Sequence, residues 1–129
     1  MRKLFIFLAV CLSMPFAMAQ GGDTTMEGDY IWTRSPDESG SVRVVFSNPS
    51  GGSYDVAFYF KFRGEDHVYS GKAMGNLENG ALKGEVQNES KNRTFNFEGA
   101  TKEGAFSGTH SESRKGKVID TGTIQFKKG

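Results

Sequence analysis

Between Ser53 and Arg63 the chain alternates without a break: Tyr54, Val56, Phe58, Phe60 and Phe62 share one parity, and Asp55, Ala57, Tyr59, Lys61 and Arg63 the other. Successive side chains on a β-strand point to opposite faces, so this run is a strand with one aromatic face, and that face needs an interior to cover it. The flanking segments can be registered against it through their turns. Asp29 to Ser35 offers an earlier strand with Tyr30 and Trp32 on one face, and Ser41 to Ser47 another with Val42, Val44 and Phe46 inward. Pairing Ser47 with Ser53 across Asn48 to Gly52 sets Phe46 against Tyr54 and Val44 against Val56.

A turn at Glu65-Asp66 then places Tyr69, Gly71, Ala73, Gly75 and Leu77 inward and leaves Lys72 in water, whereas a one-residue slip would bury Lys72. Asn79-Gly80 is a type I′ hairpin dipeptide, and it predicts Leu77 opposite Leu82 and Gly75 opposite Gly84. Further strands follow at Arg93 to Ala100 with Phe95 and Phe97 inward, and at Ala105 to Glu112 with Phe106 inward. The last runs from Lys117 to Lys128 and buries Val118, Ile124 and Phe126, with turns near Thr101-Lys102 and Ser113 to Lys115. The sequence thus predicts an all-β fold of about eight strands, an antiparallel up-and-down meander closing into a small barrel. In this register phenylalanines lie over glycines: Phe60 on Gly71, Phe97 on Gly84, Phe95 on Gly108 and Phe106 on Gly122. An aromatic side chain covers bare backbone in that way, and glycine lets a small barrel bend. Gly80-Ala81-Leu82-Lys83-Gly84 is echoed in Gly104-Ala105-Phe106-Ser107-Gly108 as a local hairpin feature.

The first 19 residues carry a separate message. Arg2 and Lys3 precede an apolar run from Leu4 to Leu12, and Ala17-Met18-Ala19 ends in a cleavage pattern, so residues 1–19 are expected to be a signal peptide of a secreted or periplasmic protein. The run is too short to span a bilayer, and Val10 before Cys11 is wrong for a lipoprotein signal. Residues 20–27 are small and polar and are expected to be a flexible lead-in to a single barrel domain over 28–129. Cys11 is the one cysteine, so the mature chain is expected to fold without a disulfide or a thiolate site. Without the signal, 14 Lys plus Arg face 15 Asp plus Glu, a balance that argues against nucleic acid or a polybasic membrane surface as a partner.

The layout over Gly28 to Lys128 resembles the calycin-type small barrels, the avidin, lipocalin and fatty-acid-binding class. Trp32 in the first strand and the Gly80-to-Gly84 strand opening are similar to features of avidin-like chains. Avidins build their biotin site from several tryptophans and Trp32 stands alone here, so biotin is not implied. The lipocalin pattern of Gly-x-Trp followed by a helix is also missing.

A barrel of eight strands is either filled by side chains or holds one small ligand. The aromatic-over-glycine pattern fits a filled interior, or a pocket where later-strand glycines leave room under an aromatic wall. The polar candidates are Arg93, His110, Glu112 and Asp120. Asp120 is the one acid in an otherwise apolar row, and a buried carboxylate needs a partner such as His110 or Arg93. The group reads either as a structural ion pair at a barrel rim or as an anion or polar-ligand site at its mouth, ringed by Glu65-Asp66-His67. Ser111 cannot join His110 as a nucleophile, because neighbouring strand residues face opposite ways. Two histidines without a spaced motif do not make a metal site, and no cofactor is expected. Asn88-Glu89-Ser90 and Asn92-Arg93-Thr94 are glycosylation sequons, relevant to a eukaryotic source. Three functions are consistent with these residues: a non-catalytic barrel that binds a small molecule or partner protein, a cofactor-free isomerase or cyclase using His110 and Asp120, and a loop-mediated interaction or inhibitor module.

Overall fold

The computed structural model describes residues 23–90 and 92–128, so the expected signal peptide lies outside the described residues. The described chain is eight strands: β1 (Thr24–Trp32), β2 (Gly40–Ser50), β3 (Ser53–Phe62), β4 (Glu65–Gly75), β5 (Gly80–Gln87), β6 (Thr94–Lys102), β7 (Ala105–Arg114) and β8 (Lys117–Lys128). Each strand pairs antiparallel with the next and β8 returns to β1, giving a closed up-and-down barrel. No helix among the described residues is long and apolar enough to cross a membrane.

The inward parities follow the sequence pattern. Val56, Phe58, Tyr69, Ala73, Leu82, Phe97, Phe106, Ile124 and Phe126 are all buried. The pairing across the strands differs from expectation because the turns fall elsewhere. Gly51-Gly52, Arg63-Gly64, Glu103-Gly104 and Lys115-Gly116 all have positive φ at both residues, and each forms a two-residue hairpin loop. A doubly positive pair matches the twist of the flanking strands, and glycine at its second position removes half of the steric cost. Asn79-Gly80, expected to be such a pair, is not one: the loop spans 76–79, Gly80 opens β5, and the Asn76 side chain accepts hydrogen bonds from the amides of Glu78 and Asn79.

Each displaced turn moves a pairing by an even number of residues except the one after β7, where the shift is odd next to the turn and becomes even only beyond an irregularity between His110 and Ser111. Phe46 therefore sits opposite Val56 and Val44 opposite Phe58, with a bulge between Ser47 and Ser50. Phe60 faces His67 rather than Gly71, and Leu82 faces Gly75. Phe95 faces Glu112 rather than Gly108, and Phe106 faces Phe126 rather than Gly122. An even shift preserves the face, which is why the core survives the corrected register. The pairing of Phe97 with Gly84 is as expected, and a Cβ at Gly84 would lie 2.6 Å from the Phe97 ring.

The first strand also begins earlier than expected. Thr24 to Glu27 pair with β2, Met26 is fully buried, and Met26 and Glu27 also pair with β8. A single large apolar residue among small and polar ones gave this stretch no visible alternation, yet closure of the barrel requires a strand there.

The barrel has two unlike ends. Around the short loops after β2, β4 and β6 the interior is solid, with Met26, Val44, Phe46, Leu82 and Phe106 almost wholly excluded from solvent and Phe106 stacked on Phe126 at 4.6 Å. Around the loops after β1, β3, β5 and β7 the interior side chains are aromatic but only partly covered, with Trp32, Phe60 and Phe95 packed against the core rather than within it.

Candidate functional site

The four polar residues expected to converge do so only in part. Glu112 on β7 points into the open end and is 5% exposed, and Arg93, just before β6, grips it with Nε donating to Oε2 at 3.0 Å and Nη2 to Oε1 at 3.3 Å. Arg114 adds a third cationic contact at 3.4 Å. Burial pushes the Glu112 carboxyl up, but the two arginines outweigh it and hold the group below the usual carboxylate range. Arg93 also lies 5.0 Å above the Phe95 ring, so the pair forms a polar cap against the aromatic wall.

His110, also on β7, faces inward as expected and is 8% exposed. Its partners are not acids. Nε2 donates to the Ile31 carbonyl at 3.1 Å, which fixes the proton on that nitrogen because a carbonyl only accepts. The Thr121 hydroxyl lies 2.6 Å from Nδ1 and donates to the His110 carbonyl at 3.0 Å, so its one proton is shared between two acceptors of the same residue. Burial pulls the imidazole below its ordinary pKa, with the Ile31 carbonyl acting in the opposite sense, so the neutral ring is favoured.

Asp120 does not belong to this group. The β7–β8 register slips between His110 and Ser111, so Gly122 pairs with His110 while Asp120 pairs with Ser111. Thr121 is the extra residue of that β-bulge, and one extra residue reverses the parity of everything before it in β8. Asp120 and Val118, expected inside, are therefore exposed on the outer surface. The acid–base pair of His110 with Asp120 is not assembled in this structure. At the rim, His67 stacks on Phe60 at 5.4 Å, while Asp66 faces out toward Lys61 at 3.7 Å. No cluster of three metal-ligand side chains occurs among the described residues.

The open half also holds a cavity of about 60 Å³. Tyr30, Trp32, Phe60, Tyr69 and Phe95 form its walls with His110. Trp32 meets Phe95 at 5.8 Å and His110 at 5.2 Å, both edge to face, and Phe95 meets Tyr69 at 5.6 Å. Tyr30 donates its hydroxyl to the Lys61 carbonyl at 3.2 Å. The Trp32 indole Nε1 is buried without a hydrogen-bond partner. Such a donor costs free energy in a folded protein and calls for an explanation.

Sequence reasoning named Arg93, His110 and Glu112 but not Trp32, Tyr69 or Thr121 as parts of one site. The shared parity of Trp32 with Tyr30 was the available signal for the tryptophan. Nothing in the residues around Thr121 marks a bulge. Compared with known proteins, the chain matches no family model, no curated protein and no solved structure.

Proposed function

We propose that this chain is a secreted or periplasmic, calycin-like β-barrel that binds a small molecule in the cavity at its open end. The observation that carries this reading is the contrast between a packed interior at one end and, at the other, a cavity walled by aromatic rings. Small-molecule sites are concave and mostly apolar, with few polar groups to fix orientation, and this cavity has that character. The reading does not use His110 as an acid or base, because both of its ring nitrogens are already engaged. Secretion rests on the Arg2-to-Ala19 pattern alone.

Xenon is a suitable first probe, being apolar and compact enough for a cavity of about 60 Å³. Titrated into the protein, it should produce saturable NMR shifts at the Trp32 indole and the Val42 and Ile124 methyls, and none at Val44 or Leu82 in the closed half. Absence of any saturable shift at the open end, or shifts of equal size at both ends, would overturn the reading.

A further inference from the structure

We infer that Arg93, Arg114 and Lys117 form a binding site for a phosphate group, either the free ion or the head of a phosphate monoester. The site uses residues that do not line the cavity, so the inference stands apart from the binding reading above. Its base is Glu112, which is almost wholly buried while the two arginine side chains that meet it stay open to water, Arg93 at 42% exposed and Arg114 at 64%. Arg93 Nη2 and Arg114 Nη2 approach the same carboxylate oxygen, Oε1, at 3.3 and 3.4 Å, and the two guanidinium groups are thereby held side by side. A guanidinium carries several N–H donors in a rigid fork. Glu112 takes only part of each fork, and no other carboxylate forms an ion pair with either arginine among the described residues. A tetrahedral oxyanion can accept from both forks at once, in strong charge-assisted hydrogen bonds.

Charge selects the ligand. Arg114 pairs with Lys117 across the β7–β8 hairpin and Glu112 pairs with Ile119, so these four side chains share one face. Asp120, the other acid of the hairpin tip, pairs with Ser111 and lies on the opposite face. Arg114 and Lys117 are therefore like charges set directly opposite one another, an arrangement that costs stability and that an anion between them relieves. Lys117 has no ion-pair partner among the described residues. Three cations against one carboxylate leave two positive charges on this face, and a phosphate monoester carries about two negative charges at neutral pH. The ring under Arg93 belongs to Phe95, a residue of the cavity wall, and it offers the organic part of an ester an apolar surface.

Inorganic phosphate and butyl phosphate test the site, each titrated at pH 7 in low salt and followed through the Nε–H resonances of Arg93 and Arg114, with chloride at equal ionic strength as the control. Phosphate should give saturable shifts at both arginines that chloride does not reproduce. Arg114→Gln removes an exposed side chain, leaves the Arg93–Glu112 pair in place, and should weaken phosphate binding about tenfold or more, as expected for lost hydrogen bonds to a charged group. Lys117→Gln should weaken it by a smaller factor. Tighter binding of butyl phosphate with shifts at the Val42 and Ile124 methyls would identify an ester as the source, and equal affinity the free ion. Shifts matched by chloride, or an unchanged phosphate affinity in Arg114→Gln, would overturn this inference and leave the cavity reading to its own xenon test.

Discussion

The closed and open halves of the barrel are built from the same residue types and do opposite things with them. In the closed half, Phe46, Phe106 and Phe126 interlock, with Phe106 1% exposed and Phe126 2%. In the open half, Phe60 and Phe95 keep part of their surface uncovered and line a cavity, with the Arg93–Glu112 ion pair set against Phe95. The closed half has Met26, Leu82 and Val44 to fill the gaps between rings, whereas the open half has mainly rings, which pack edge to face and leave space. Dense packing and open volume are thus separated along the barrel axis.

Substitutions can break or sharpen this contrast. The largest loss is expected for Phe106→Ala, about 3–5 kcal/mol in urea unfolding, because the removed ring leaves a void among packed neighbours. Phe95→Ala should cost less than half as much, and equal costs would show that the two halves are packed alike. Gly122→Ala comes next, at about 1–3 kcal/mol, since a Cβ there collides with the Ile31 carbonyl and lies 2.7 Å from His110 Nε2. That variant should also shift the His110 ring resonances, which report its hydrogen bond to Ile31.

Glu112→Gln is expected to cost about 1–3 kcal/mol at neutral pH by leaving Arg93 and Arg114 without their shared anion. Its pH dependence has a definite sign. A carboxyl whose folded pKa is depressed stabilises the fold above its ordinary pKa of about 4.3, and that stabilisation is lost as pH falls through the lower folded value. The glutamine variant should lack that acid-side loss. His110 adds a second decline that begins near pH 6.5, where the unfolded ring takes up a proton that the folded ring refuses. Urea midpoints measured between pH 3 and pH 8 separate the two. The smallest effect is expected for Trp32→Phe, below about 1 kcal/mol, because the lost N–H had no partner to leave behind. A larger loss would mean that the indole ring's contacts with Phe95 and His110, or a partner for its nitrogen, contribute to stability.

The fold class was legible in the sequence because period-two alternation survives any even displacement of register. Turn placement was harder to read. The strongest dipeptide by composition, Asn79-Gly80, gave way to an Asn76 side chain that caps the loop, while Arg63-Gly64, Glu103-Gly104 and Lys115-Gly116 turn tightly with charged residues at positive φ. Glycine in second place was the useful signal, and the residue before it was not. The candidate site was legible where parity held, at His110 and Glu112. It was lost at Asp120, where one bulged residue undid the count, and in Thr24 to Glu27, where a strand exists because two others need a partner.

Seven of the barrel's eight seams join strands that follow one another along the chain, but the eighth joins its two ends, with Trp32 opposite Gly122 and Met26 opposite Lys128. Contacts this remote in sequence carry a large loop-closure entropy and are expected late in folding. Tyr30 and Trp32 sit on that seam, and His110 reaches over Gly122 to the Ile31 carbonyl beside them. The pocket therefore comes into being only with the final zipping step, and a guest held there would act as a latch, slowing the unzipping of the seam by which the barrel comes apart.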